Sequence, residues 1–353
     1  MSDLVGRGRA LFESKFGSSD DCAVVFAPGR VNLIGEHTDY NGGFVMPLAL
    51  NKRTIAVGKG RVSSKSGAQA VCRVVSEKFK DEVIHFNADG TLAPGEPTWA
   101  NYIKGVVAAY LCDVPPGHSL SFDAAIVSDV PLGAGVSSSA ALEVAMATLL
   151  EEVLEKNPGG VEKALRCQSS DHKFLKCPCG IMDQFASVLA RQGCTLLVDC
   201  ASNKYETVPL DDPGVVVVVA NSGVTHKHSD GAYGERVAQC AEAVQMIQKQ
   251  HPEVKQLRDA RQEWVEEIKK AVGDKVYRRA THVVSEDRRT LCCMAALRRR
   301  DYNIIGDCMN MSHTSLRDDY EVSCDELDCL VDIALGVPGV FGSRMTGGGF
   351  GEC

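Results

Sequence analysis

A chain of 353 residues, 44% hydrophobic and 24% charged, has the composition of an ordinary globular protein long enough for roughly two domains. Its net charge of −8 disfavours non-specific binding to nucleic acid. No run is apolar over the length of a bilayer span, Met1–Arg7 lacks a signal-peptide core, and the 15 cysteines form no regular framework, their closest pairs lacking the two-residue gap of a zinc-ribbon or thioredoxin-like site, so a reduced, cytoplasmic protein without membrane partners is expected.

Apolar residues at helical spacing (Leu4, Val5, Leu11, Phe12, Phe16) predict a first helix over 4–17, stopped at Gly17. Strands are expected at Cys22–Ala27 and Arg53–Val57, with a polar hairpin tip or loop at 63–68. Another strand, Ala124–Ser128, leads into a glycine- and serine-rich turn. Leu142, Ala145, Met146, Leu149, Leu150 and Leu154 then recur every three or four residues. They predict a helix to about Lys156, stopped by Asn157-Pro-Gly-Gly. A helical stretch over Glu162–Phe174 reaches Cys177-Pro-Cys-Gly-Ile-Met-Asp-Gln-Phe. Thr195–Val198 and Val215–Ala220 read as strands flanking the turn Asp211-Asp-Pro-Gly. Successive helices are expected from Tyr233 to about Asp307, and another at Asp325–Leu335. The composition shows no linker or repeat, so two closely packed units are expected, 1–205 and 206–353.

Three segments carry chemistry. Gly29–Gly43 sets Arg30, Glu36, His37 and Asp39 between glycines, directly after an apolar run. Such a cluster at a strand end suits a small polyol: carboxylates and a ring nitrogen accept hydroxyl protons, and the Arg adds positive charge. In Gly133-Ala-Gly-Val-Ser-Ser-Ser-Ala, glycines let the backbone approach phosphate oxygens, and hydroxyls and free N–H groups at a helix start donate to them. It is neither a Walker A loop nor a dinucleotide fingerprint, and a serine-capped helix is its plain alternative. Asp183, alone among apolar neighbours, reads equally as a helix-start cap or a proton acceptor.

The segment Ala27–Leu50, with Glu36-His-Thr-Asp-Tyr-Asn-Gly-Gly, resembles the signature of galactokinases, members of the GHMP family of small-molecule kinases. Gly133–Ala140 and Ser343-Arg-Met-Thr-Gly-Gly-Gly-Phe resemble the family's other two motifs. The resemblance covers about residue 10 to 353. It implies a two-domain α+β GHMP-kinase fold with the active site in the inter-domain cleft. It also implies ATP-dependent phosphorylation of α-D-galactose at the anomeric hydroxyl, the first step of galactose catabolism, with ATP and Mg²⁺ as cofactors and a monomeric enzyme. On this resemblance Asp183 is the catalytic base with Arg30 as its partner. Arg30, Glu36, His37, Asp39, Gly180 and Tyr233 meet the sugar, Gly133, Gly135, Ser137 and Ser138 cradle the phosphates, and Trp99 lines the adenine pocket. Ser139 and Asp171 serve Mg²⁺, Asp171 standing where the family commonly has Glu. Ala134 and Glu352 replace usual glycines, and the chain stops where the family continues, so an incomplete C-terminal domain is expected. Alternatives are an N-acetylgalactosamine kinase, a non-catalytic sensor or an inactive truncated product. The Ser139-Ala140 pair favours the enzyme.

Overall fold

A computed structural model describes residues 2–64, 71–79, 82–224 and 229–350. Helix α1 (Ser2–Phe16) leads into β1 (Ala23–Asn32), β2 (Phe44–Val45), β3 (Pro47–Ser64), β4 (Val71–Ser76) and β5 (Ile84–Asn87). Then come α2 (Ala100–Tyr110), β6 (His118–Ser128), α3 (Ser138–Leu154), α4 (Gly160–Ser170), α5 (Met182–Leu189), β7 (Cys194–Asp199) and β8 (Lys204–Pro209). The regular elements that follow among the described residues are helices: α6 (Ser229–Gln248), α7 (Gln262–Arg298), α8 (Tyr302–Asp318) and α9 (Asp325–Leu335).

The main sheet has the order β1-β3-β6-β4-β5, antiparallel except where β4 runs parallel to β6. Alternation along β3 divides the core. Ile55 and Val57 pack with Phe12 of α1 on one face, while Ala56 joins Met146, Leu149 and Leu150 of α3 on the other. Burying each such Val, Leu or Ile stabilises by ~1.5–3 kcal/mol, which fixes α3 against β1 and β3. A smaller sheet, β2-β7-β8, lies beside the first, and the C-terminal helices enclose their own core around Val265, Val283, Leu316 and Tyr320. Helix α7 bends at Gly273 (φ 76°).

Three expectations need amendment. Val215–Ala220 is not a strand: Val216 and Val218 are 79% and 82% exposed, and no described strand runs beside it to complete a ladder. Apolar β-formers without a partner strand do not make one. The helix expected over Glu162–Phe174 ends as α4 at Ser170 and continues as a π turn, Asp171–Leu175. The division near 205 falls inside β8, which pairs with β7 through Val198↔Tyr205. Of the loop expected at 63–68, Ser63 and Ser64 end β3, and 65–68 lie outside the described residues, as does Glu352.

Candidate active site

Strand β6 ends at Ser128, and the chain turns through Gly133 (φ 64°), Gly135 (φ 62°) and Ser137 (φ 56°) before α3 begins. The two glycines take their left-handed angles without the steric cost that the Cβ of Ser137 brings. The turn is tied to the end of β1, where Arg30 N donates to the Val136 carbonyl at 3.1 Å. No side chain caps the start of α3, so its first N–H groups face the loop side as donors for an anion.

Arg30 is 5% exposed and reaches across to α5. Its Nε donates to Asp183 Oδ1 at 2.8 Å, its Nη2 lies 2.6 Å from the same oxygen, and its Nη1 donates to the Gly135 carbonyl at 2.5 Å. Burial works against the guanidinium charge, but Asp183 and Glu36 outweigh it and raise the Arg30 pKa. The Ser137 hydroxyl donates to the second oxygen of Asp183. The carboxylate at the first turn of α5 therefore faces a cation and a hydroxyl, at the junction of phosphate loop and sugar segment.

A cavity of about 350 Å³ opens there. It is lined by every residue expected at the sugar (Arg30, Glu36, His37, Asp39, Gly180, Asp183, Tyr233) and by Gly133, Gly135, Ser137, Ser138 and Ser139. A larger cavity, about 390 Å³, shares none of these residues. It is walled by apolar groups such as Val216, Val331 and Phe341, so the groups suited to chemistry are gathered in the smaller one. The third motif closes over it. A Cβ on Gly347 would lie 2.9 Å from the Gly135 carbonyl oxygen, so only glycine lets the two loops approach this closely.

Two expected sugar ligands are already engaged. Glu36 accepts from Asn32 Nδ2, Arg344 Nη2 (2.7 Å), the Gly347 N–H (2.6 Å) and the Thr346 hydroxyl (3.2 Å). His37 Nε2 lies 3.2 Å from the Gly348 carbonyl and Nδ1 lies 2.8 Å from the Tyr40 hydroxyl. A carbonyl only accepts, so Nε2 carries the proton and Nδ1 accepts from Tyr40. The expectation that the His37 ring accepts a sugar proton is thereby corrected: neither nitrogen has a free lone pair. Burial pushes His37 down to about 3, so it stays neutral. The Tyr40 oxygen then accepts from Tyr320 at 2.7 Å, and Tyr320 lies 3.1 Å from the Cys240 thiol. Asp39 packs over Gly180, where a Cβ would lie 2.0 Å from Asp39 Oδ2. Burial, helped by the charge of Asp183, raises Asp39 to about 7.

Two other expected residues do not line the cavity. Trp99 is 9% exposed and stacks on Phe79, ring centroids 5.0 Å apart, as part of the main core. Asp171, 8% exposed, accepts from Gln184 Nε2 at 2.8 Å and the Cys179 thiol at 3.5 Å, and burial raises its pKa. Gln184 also donates to Glu143 at 3.3 Å, while one oxygen each of Gln184 and Glu143 has no partner. Such hard oxygen donors suit Mg²⁺, which takes one or two carboxylates beside substrate phosphates. Among the described residues no three His, Cys, Asp or Glu side chains form a dedicated metal site. Sequence reasoning missed Asn32, Arg344, Tyr40 and Tyr320. Arg344 stands within the third motif, and that position was its only signal.

Three family models match the chain. The galactokinase galactose-binding signature covers residues 10–59, the GHMP kinases N terminal domain 101–191, and the GHMP kinases C terminal region 293–353. Galactokinase from Homo sapiens is 46% identical over 356 residues, spanning 100% of this chain and 88% of that protein. Galactokinase from Chloroflexus aggregans is 44% identical over 344 residues, spanning 97% of this chain and 85% of that protein. The crystal structure of Lactococcus lactis galactokinase complexed with galactose superposes with a TM-score of 0.87 at 31% identity, covering 98% of this chain and 87% of that one. Methanococcus jannaschii mevalonate kinase shares the fold, with a TM-score of 0.60 at 15% identity. With its signature, phosphate loop and closing glycine loop gathered around one cavity, the chain belongs to the galactokinase family of GHMP kinases.

Proposed function

We propose that this protein transfers the γ-phosphoryl group of ATP to the anomeric hydroxyl of α-D-galactose, giving α-D-galactose 1-phosphate and ADP. The observation that carries this reading is the junction of Asp183, Arg30 and Ser137 at the start of α3. One carboxylate there serves both a sugar pocket and an anion-binding helix end. Asp183 takes the hydroxyl proton as the sugar oxygen attacks phosphorus. Arg30 holds Asp183 in place and, with the first N–H groups of α3, offsets negative charge on the transferring group. Ser137 and Ser138 donate to the phosphates. Asp39 accepts from sugar hydroxyls, Tyr233 packs beside them, and Gly180 gives the backbone room. Glu36 and His37 shape the pocket by anchoring the closing loop. Ser139 and Asp171 hold Mg²⁺, which when bound neutralises phosphate charge. The proposed setting is a cytoplasmic monomer acting on small molecules.

The test is phosphate transfer from radiolabelled ATP to a panel of sugars. Galactose is the expected acceptor, with N-acetylgalactosamine far poorer. Equal turnover of the acetylated sugar overturns the substrate assignment, and absence of transfer to any sugar overturns the catalytic one.

A further inference from the structure

The described cysteines are all free thiols. Two of them, Cys177 and Cys179, line the catalytic cavity. Both are partly exposed, and their side chains are in hydrogen-bonding contact across Pro178. Cα atoms two residues apart are at most about 7 Å from one another, close to the upper limit of about 6.8 Å that a disulfide spans, so closure asks for a local bend at Pro178 rather than a rearrangement of the fold.

The segment between them is coupled to the site at several points. The Cys179 thiol donates to Asp171 Oδ2 at 3.5 Å. The Cys179 carbonyl accepts from Gln168 Nε2 at 3.2 Å and lies 2.9 Å from His172 Nε2. The next residue, Gly180, touches Asp39 so closely that no Cβ fits, and α5 begins two residues later with Asp183 in its first turn. A bond between the sulfurs pulls Cys179 off Asp171 and turns the peptide that leads into Gly180.

We propose that Cys177 and Cys179 are a hydroperoxide-sensitive dithiol whose closure to a disulfide displaces Gly180 and Asp39 and shuts down sugar binding. One thiolate attacks a peroxide oxygen; the O–O bond breaks, hydroxide leaves, and the sulfur becomes a sulfenic acid. The second sulfur attacks the first, the S–O bond breaks, and hydroxide leaves as water with the proton of the second thiol. Two thiols and one hydrogen peroxide give one disulfide and two waters, so two electrons pass from sulfur to oxygen. The effect on activity rests on the proposed sugar site, whereas the covalent change does not.

The full chain is treated with hydrogen peroxide, quenched, digested with trypsin without reductant, and assayed in parallel for galactose phosphorylation. The peptide Cys177–Arg191 is expected to become lighter by two hydrogen atoms. In step with it, kcat/KM for galactose falls by roughly tenfold or more, since a misplacement of about 1 Å near a reacting centre can cost 10²-fold. Dithiothreitol restores both. A double C177S/C179S variant, compared with its own untreated sample, resists peroxide. If that peptide stays reduced while activity falls, or if a disulfide forms instead between other cysteines, the proposal is overturned. Closure of Cys177–Cys179 with an unchanged galactose KM overturns its functional half. Failure of the untreated protein to phosphorylate galactose counts against the proposed function, and the mass measurement still decides the dithiol.

Discussion

Arg344 donates to Glu36 at 2.7 Å across 308 positions of sequence, and the two side chains are 2% and 1% exposed. The pair joins the sugar segment after β1 to the closing glycine loop. The same carboxylate also accepts from the Gly347 N–H, the residue that rests on the phosphate loop. One buried acid thus ties together all three family motifs.

Arg344→Ala leaves Glu36 buried with its strongest partner removed. Losing one member of a buried pair typically costs ~3–5 kcal/mol. A clear drop in the thermal midpoint is expected, along with faster proteolysis of the closing loop. Arg344→Lys keeps the charge but not the contact to the Asn32 carbonyl (2.9 Å), so its midpoint falls between the two. An alanine variant as stable as the parent shows that the pair is dispensable.

Asp183→Asn keeps hydrogen-bonding atoms near Arg30 and Ser137 but removes the proton acceptor. General-base catalysis contributes ~10²–10⁴-fold, so kcat falls by that order while galactose affinity, measured by calorimetry, changes little. Arg30→Ala also lowers kcat strongly, and Arg30→Lys does not rescue it, because one guanidinium reaches both Asp183 and the Gly135 carbonyl. Near-parental kcat in the Asn variant would falsify the assignment of the base.

The site residues legible in the sequence were those set close together between glycines. Arg30, Glu36, His37 and Asp39, the loop Gly133 to Ser139, and Gly180 with Asp183 all line one cavity, because the members of each group are separated by only a few positions of chain. What could not be read were partners distant in the chain. Tyr320 reaches Tyr40 across 280 positions, and nothing near either residue announces the other. That contact changes the chemistry of His37, whose nitrogens look available in the sequence and are occupied in the fold. Val215–Ala220 failed for a related reason: strand formers need a partner, and a continuous apolar run cannot supply one by itself. The π turn at Asp171 escaped notice because apolar spacing reports 3.6-residue periodicity and is blind to one widened turn.

Asp39, raised to about 7 by burial and by Asp183, gives the site a pH dependence of definite sign. Its folded-state pKa is above the unfolded value, so its contribution to stability is full below about 3.8 and is lost as pH rises through about 7. In the proposed sugar site hydroxyls donate to the ionised form, so galactose KM is expected to fall as pH rises from about 6 to about 8. His37, held near 3, adds nothing across that range. Asp39→Asn is expected to bind galactose more weakly and to flatten the KM profile between those limits. An unaltered slope in this variant places the titration elsewhere.

The Tyr320–Tyr40–His37 relay predicts unequal effects from two similar changes. Tyr40→Phe leaves His37 Nδ1 without a donor inside the protein, and an unsatisfied buried acceptor costs ~1–3 kcal/mol. Tyr320→Phe leaves the Tyr40 hydroxyl free to donate to His37, and removes the donor to the Tyr40 oxygen together with the partner of the weakly hydrogen-bonding Cys240 thiol. Chemical denaturation should therefore show the larger loss for Tyr40→Phe. Galactose KM should also rise more in that variant, since His37 holds the Gly348 carbonyl. A larger loss for Tyr320→Phe reverses the proton order assigned here.

Asp171 can be tested so that structure and metal use separate. Both of its protein donors, Gln184 Nε2 and the Cys179 thiol, reach the same oxygen, Oδ2. In Asp171→Asn the amide oxygen can occupy that place and keep both bonds, while the charge disappears. Burial raises the Asp171 pKa, so the ionised form is penalised in the fold at neutral pH, and removing the charge relieves that penalty. The thermal midpoint of the Asn variant should accordingly hold or rise. Its half-saturating Mg²⁺ concentration should increase, because a neutral amide is a poorer ligand for a hard cation. Asp171→Glu keeps the charge but forces an extra methylene into a packed site, at a cost of ~1–3 kcal/mol, so its Mg²⁺ response should stay nearer the parent while its midpoint drops. The two variants thus separate the readouts: Asp171→Asn shifts chiefly the Mg²⁺ requirement and Asp171→Glu chiefly the midpoint. If Asp171→Asn lowers the midpoint and leaves the Mg²⁺ requirement as it was, Asp171 only holds Gln184 and the Cys179 loop in place, and the metal role assigned to it is wrong.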